Sequence, residues 1–126
     1  MLNWLKSLLS SGTSSHPVLE LEAKLLPIEN HRLHGEAEFE VYRDQSWELE
    51  VEVDFPIGQT ATPLSVFVQD HPMLDLTPDY DDSEGKLSSR RGDHLPLLIE
   101  PGMRIEVRQA GNPVLSGTFA LSPRFR

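Results

Sequence analysis

The sequence predicts an all-β protein, an antiparallel β-sandwich or small barrel of about eight strands. Three observations carry that prediction. From Val18 onward apolar residues recur at every second position, the spacing of a strand with one face buried. Clusters of Pro, Gly, Asn and Asp interrupt the alternation at short intervals, as turns between strands do. The alternating runs number some eight or nine and are all short, which points to a sandwich or barrel. A chain of 126 residues, 38% of them hydrophobic, is long enough for one domain with its own core. It has no cysteine, which excludes disulfide staples, Cys-ligated zinc, iron–sulfur clusters and thiol catalysis.

Residues 1–16 stand apart from the β-domain at 17–126. Leu2, Leu5, Leu8 and Leu9 recur at helical spacing with Trp4 beside them, and residues 10–15 form a Ser-rich tether, so a short N-terminal amphipathic helix or tail is expected. Lys6 interrupts the apolar stretch, which argues against a secretory signal and for a cytoplasmic location. The segment could touch a membrane surface, but it is too short and too weakly basic to anchor there alone.

Within the β-domain, Leu19, Leu21, Ala23 and Leu25 alternate with Glu20, Glu22 and Lys24 up to Pro27. After a turn at Asn30 and His31, Ala37, Phe39 and Val41 face one side and Glu36, Glu38 and Glu40 the other. Trp47, Leu49, Val51, Val53 and Phe55 then alternate with Glu48, Glu50, Glu52 and Asp54. Residues opposite each other in an antiparallel pair share a face, so this hairpin must pair odd with odd. It needs an odd-numbered loop, most simply three residues centred on Asp44 or Gln45, because a two-residue turn would bury carboxylates. After a loop at 56–63, Leu64, Val66 and Val68 alternate with Ser65, Phe67 and Gln69; apolar residues on both faces predict a central strand. A short strand is expected at 73–76, an acidic loop at 77–85, another short strand at 86–89, and two final strands at 103–108 and 114–121.

Gly35, Ala37 and Phe39 spell G-x-A-x-F; Glu50 to Val53 form an acidic V-E-V strand; Leu87 to Pro96, Pro101 and Gly102 follow; and the chain closes on Val114, Leu115, Ser116, Gly117, Thr118 and Phe119. Over roughly residues 19–121 this resembles a loosely defined group of bacterial β-rich domains of unknown function that end in a vLsGtF-like strand. Members often carry an export signal that this chain lacks, so their compartment does not carry over. The resemblance implies a β-fold with its turns and core, and it brings no catalytic residues.

Twenty carboxylates against eleven Lys and Arg leave a net charge of -9, which argues against nucleic acid as a ligand. The excess is local. Residues 20–54 carry eleven acids and three bases, a net of -8, whereas residues 90–126 carry six bases and three acids, a net of +3. Glu36, Glu38, Glu40, Glu48, Glu50, Glu52 and Asp54 put seven carboxylates on one face of a single hairpin. Either this face is solvated and compensated by a neighbouring strand carrying Arg104 and Arg108, or it is a docking face for a basic protein partner or for divalent cations. A free sheet edge is a second docking route, so the chain is expected to be a monomer or an edge-strand dimer.

The alternative site is Asp75, Asp79, Asp81, Asp82 and Glu84. Asp79, Asp81 and Ser83 have the odd-position spacing of an EF-hand, but the sixth position is Glu84 instead of Gly and the twelfth is Arg90 instead of Glu, so only a calcium or ligand site of another kind is left. His31 and His34 would point to opposite faces of a strand, and His16, His71 and His94 are scattered, so no transition-metal site is expected. Arg91, Gly92 and Asp93 spell an integrin-binding tripeptide at a turn, where Gly and Asp are ordinary residues. No nucleophile elbow, HExxH or phosphate loop is present, and Tyr42 and Tyr80 are too few for a sugar platform. The expectation is a non-enzymatic interaction module without a cofactor.

Overall fold

The computed structural model describes residues 16–29 and 32–126; the amphipathic segment, its tether, and Asn30 and His31 lie outside the described residues. Nine strands follow in chain order: β1 (Pro17–Pro27), β2 (His34–Tyr42), β3 (Trp47–Asp54), β4 (Leu64–Val68), β5 (His71–Asp79), β6 (Asp82–Ser88), β7 (Arg104–Gln109), β8 (Asn112–Thr118) and β9 (Ala120–Leu121). They pair antiparallel in the order β2-β3-β6-β5-β4-β7-β8-β1, and β1 returns to β2, so eight strands close into a barrel. The pairs Leu21–Leu121, Glu22–Ala120, Leu26–Ser116 and Pro27–Leu115 share one register, which makes β9 the continuation of β8 along β1 beyond a break at Phe119.

Two strands turn the corners. β1 pairs with β2 as far as Leu25 and with β8 at Leu26 and Pro27; β5 pairs with β4 as far as Leu76 and with β6 from Thr77. The barrel therefore has two halves, one built from β1, β2, β3 and β6 and the other from β4, β5, β7 and β8. A barrel of eight strands is narrow enough for side chains to fill. Leu21, Leu25, Phe39, Leu49, Val51, Val53, Val66, Val68, Ile105, Leu115 and Phe119 do so and are all but inaccessible to solvent. Each such burial contributes about 1.5–3 kcal/mol. Closure also requires glycine at one seam: a Cβ on Gly117 would run into the Lys24 carbonyl oxygen across the β8–β1 junction.

The β2–β3 hairpin pairs odd with odd throughout, Phe39 with Leu49 and Val41 with Trp47. The Tyr42 N–H donates to the Ser46 carbonyl at 2.8 Å, leaving a three-residue loop centred on Asp44 with Gln45 left-handed at φ 70°. Further along, the structure corrects the prediction. Residues 77–85 are not a loop: Thr77, Pro78 and Asp79 pair with Glu84, Ser83 and Asp82, so β5 and β6 form a hairpin turned by Tyr80 and Asp81. β4, by contrast, has a neighbour on each side, β5 and β7, as expected of a central strand, and the ring of its outward Phe67 is half-buried beneath the Arg108 guanidinium, 3.8 Å from the centroid. β7 does not lie beside the acidic hairpin. It sits between β4 and β8, where Arg104 pairs with Glu106 at 3.7 Å and Arg108 with Glu106 and, at 3.2 Å, with Asp70.

The connection between β6 and β7 contains the Arg91-Gly92-Asp93 tripeptide near its start, and the structure gives it a local task. Past Glu84 the β6 edge no longer pairs with β5, and this tripeptide covers it. Arg91 donates to the Lys86 carbonyl, the Ser88 N–H donates to Asp93 Oδ2 at 2.9 Å, the Asp93 N–H returns a bond to the Ser88 carbonyl, and Arg91 and Asp93 pair at 2.7 Å. Gly92 supplies the left-handed turn at φ 83°.

Candidate interaction face and metal centre

Because outward residues occupy even positions in β1, β2, β3 and β6, the pairing registers line their side chains up in rows across the four strands. The first row reads Glu20, Glu40, Glu48, Ser88, and the second Glu22, Glu38, Glu50, Lys86. The third reads Lys24, Glu36, Glu52, Glu84, and the fourth His34, Asp54, Asp82, Asp79. All seven carboxylates predicted on the hairpin thus share one face. The two flanking strands widen it with Glu20, Glu22, Asp82 and Glu84. Among the described residues, basic side chains stand at the ends of the rows or beyond them: Lys86 is 3.4 Å from Glu48, the His34 ring is 3.8 Å from Asp54, and Arg124 reaches Glu20 at 2.9 Å.

Burial first, and then like charges held side by side, raise carboxyl pKa values on this face. Burial, and then the charges of Glu36, Glu40, Glu20 and Glu50, push Glu38 up to about 7. Glu40 is raised by burial, although the hydrogen bond from the Tyr42 hydroxyl works the other way. The same burial and the neighbouring Glu40 and Glu48 charges raise the Tyr42 phenol. Asp54 is raised by burial and by Glu52; Asp82 is raised by burial and then by Glu84, Glu52, Asp79 and Asp54.

Among the described residues, one converging group of carboxylates spans the β3–β6 ladder. Glu52, Asp82 and Glu84 each offer an oxygen, and these oxygens lie within 4.8 Å of one another. Glu52 is only 5% exposed, and Asp82 Oδ1 is buried with no hydrogen-bond partner among the described residues. Such a trio of hard oxygen donors suits calcium or magnesium by its chemistry.

The five carboxylates predicted as one loop site are divided by the β5–β6 hairpin. Asp82 and Glu84 join Glu52 on the barrel wall. Asp75 faces β4 and accepts a bond from the Ser65 hydroxyl at 3.1 Å, and Asp79 and Asp81 are exposed around the turn. Sequence reasoning missed Glu20 and Glu22 as members of the face, although their even positions in an alternating strand were the available signal. It also missed the meeting of Glu52 with Asp82 and Glu84, which depends on a β3–β6 pairing no local pattern encodes.

On the other half, a shallow pocket of about 190 Å³ is lined by Phe67, Gln69, Asp70, Arg104 and Glu106. Among the described residues no helix is long and apolar enough to cross a membrane. Comparison with models of known protein families and with curated proteins gives no match, so the geometry of these surfaces carries the functional argument by itself.

Proposed function

We propose that the protein is a non-enzymatic docking module that holds a basic protein segment against the acidic face of β1, β2, β3 and β6. The observation that carries this reading is the register of the carboxylates. A like-charged pair directly across a ladder costs a few tenths up to about 1 kcal/mol, and any neutral polar residue would serve the fold as well at these outward positions. A stretch of Lys and Arg laid across the rows would replace that repulsion with attraction and would be steered in from a distance. Barrel closure takes away the free strand edge on which the other docking route depended.

The test is a titration of the isotope-labelled protein with a hexalysine peptide, followed by amide chemical shifts. Saturable shifts concentrated in residues 36–40 and 48–54, weakened at high salt and reduced roughly tenfold in affinity by the pair Glu38→Gln and Glu50→Gln, are the expected result. Weak shifts spread evenly over the whole surface would reject it.

The second reading is a divalent cation held by Glu52, Asp82 and Glu84. It is favoured by the convergence of their oxygens within 4.8 Å and by the buried, unbonded Asp82 Oδ1. Calcium chloride alone is the probe: one saturating equivalent that moves the amides of 52, 82 and 84, and that Glu52→Gln abolishes, would support it.

A further inference from the structure

Two of the most exposed apolar side chains in the structure stand at the same end of the barrel: Ile57 is fully exposed, and Tyr80 is 90% exposed. Ile57 belongs to the connection from β3 to β4 and Tyr80 to the β5–β6 turn. These two segments are joined by backbone bonds. The Phe55 N–H donates to the Asp81 carbonyl at 2.8 Å, and the Ala61 N–H donates to the Tyr80 carbonyl at 2.9 Å. Between those bonds the chain folds back on itself, with the Gln59 N–H bonded to the Pro56 carbonyl at 3.0 Å. Both side chains are therefore carried on one braced support.

Single exposed apolar residues are ordinary on protein surfaces. Tyr80 is not ordinary, because of its backbone. It occupies the first position of a two-residue hairpin turn at φ 57°, left-handed, while Asp81 after it does not have a positive φ. That pattern favours glycine at the first position, and a bulky aromatic there is strained. The turn would form more easily with glycine at this position, so the tyrosine does not serve the turn itself. Its surroundings are acidic. Asp79 and Asp81 flank it in the chain, and Asp54 and Asp82 lie across the adjoining rungs of the ladder, where the fourth acidic row ends.

We propose that Tyr80 and Ile57 form the anchor of the docking face, and that they take an apolar side chain carried within the basic protein segment. The inference rests on the docking reading above and adds to it the apolar half of the recognition. Tyrosine is among the residues enriched at interface hot spots, and the carboxylates around Tyr80 select a cationic partner.

The experiment compares two synthetic peptides of equal charge, hexalysine and a six-lysine peptide with leucines interspersed, against the wild-type protein and against the variants Ile57→Ser and Tyr80→Gly. The leucine peptide is expected to bind roughly tenfold more tightly than hexalysine and to shift the amides of 57, 80 and 81. Each variant should remove most of that advantage and leave hexalysine binding unchanged. Tyr80→Gly should at the same time raise the melting temperature, because the turn strain is relieved, so that lost affinity cannot be ascribed to misfolding. Equal binding of the two peptides, or an advantage that survives both substitutions, overturns the anchor and leaves the docking face standing. Failure of both peptides to bind overturns both readings.

Discussion

In the half of the barrel built from β1, β2, β3 and β6, outward carboxylates stand opposite one another in row after row; in the half built from β4, β5, β7 and β8, outward charges are mixed and mutually paired, Glu106 lying between Arg104 and Arg108. Inward, the halves are alike. Phe39, Leu49 and Val51 from the first meet Val66, Ile105 and Phe119 from the second in one core. The core is thus blind to which half it belongs to, whereas the outward positions, which the fold leaves free, differ sharply. Core packing therefore does not distinguish the halves, whereas outward charge does, and the proposed binding face rests on that difference.

Inward substitutions test the sameness first. Phe39→Ala and Phe119→Ala, one from each half, should each cost about 3–5 kcal/mol in denaturant unfolding; a small cost on one side only would mean that the halves do not share a core. Next come the seams. A Cβ on Gly35 would meet the Glu52 carbonyl oxygen, as one on Gly117 would meet that of Lys24, so Gly35→Ala and Gly117→Ala should each cost about 2–3 kcal/mol by the same measurement.

Outward substitutions should separate the halves. Glu38 has an ordinary carboxyl value of 4.5 in the unfolded chain and about 7 in the folded one, so between those values the folded state holds the extra proton. Stability conferred on the folded state is therefore full below 4.5 and declines as pH rises through 7. Because Glu38 is partly exposed and screened, the loss is on the order of 1 kcal/mol. The melting temperature should fall from pH 5 to pH 8, and Glu38→Gln should flatten that slope and stabilise the protein at pH 8. Glu106→Gln, in the other half, should instead destabilise by about 0.5–1 kcal/mol, since it leaves two guanidinium groups without their shared partner. If both substitutions shifted stability in the same direction, the contrast between the halves would collapse.

The smallest effect concerns the strap on β6. The Ser88 N–H and then Arg91 hold the Asp93 carboxyl below its ordinary 3.8, so its contribution is present above that value and is lost as pH falls beneath it. Asp93→Asn should lower the melting temperature slightly at neutral pH and make little difference under acid, as thermal scans at both pH values would reveal.

Strands β1, β2 and β3 were legible in the sequence because their alternation is unbroken from Leu19 to Leu25, from Gly35 to Val41 and from Trp47 to Phe55, and parity narrowed the loop to three residues centred on Asp44 or Gln45, of which the structure takes Asp44. The second half was less so. Registers shift between Val66 and Phe67 and between Val107 and Arg108, and a shifted register cannot be read from parity. The β5–β6 hairpin was hidden by Pro78 within the strand and by Tyr80 where a glycine would have announced the turn. That single omission also concealed the candidate metal trio, since Asp82 and Glu84 reach Glu52 only once β6 is recognised as a strand next to β3. Compensation was misjudged for the same reason: Arg104 and Arg108 are separated from the acidic rows by strand order, which composition does not record.

The seam between β1 and the β8–β9 strand has a consequence in time. Leu21 finds Leu121, and the Ser122 N–H bonds the Glu20 carbonyl at 2.9 Å, so the first described strand is completed only by nearly the last described residues. Contacts of such long sequence separation form late and make folding slow. Until Gly117 slides in against Lys24, β1 and β8 each show a raw flank able to pair with another chain. The hazard of strand-to-strand association belongs to the interval before closure, and the finished barrel abolishes it.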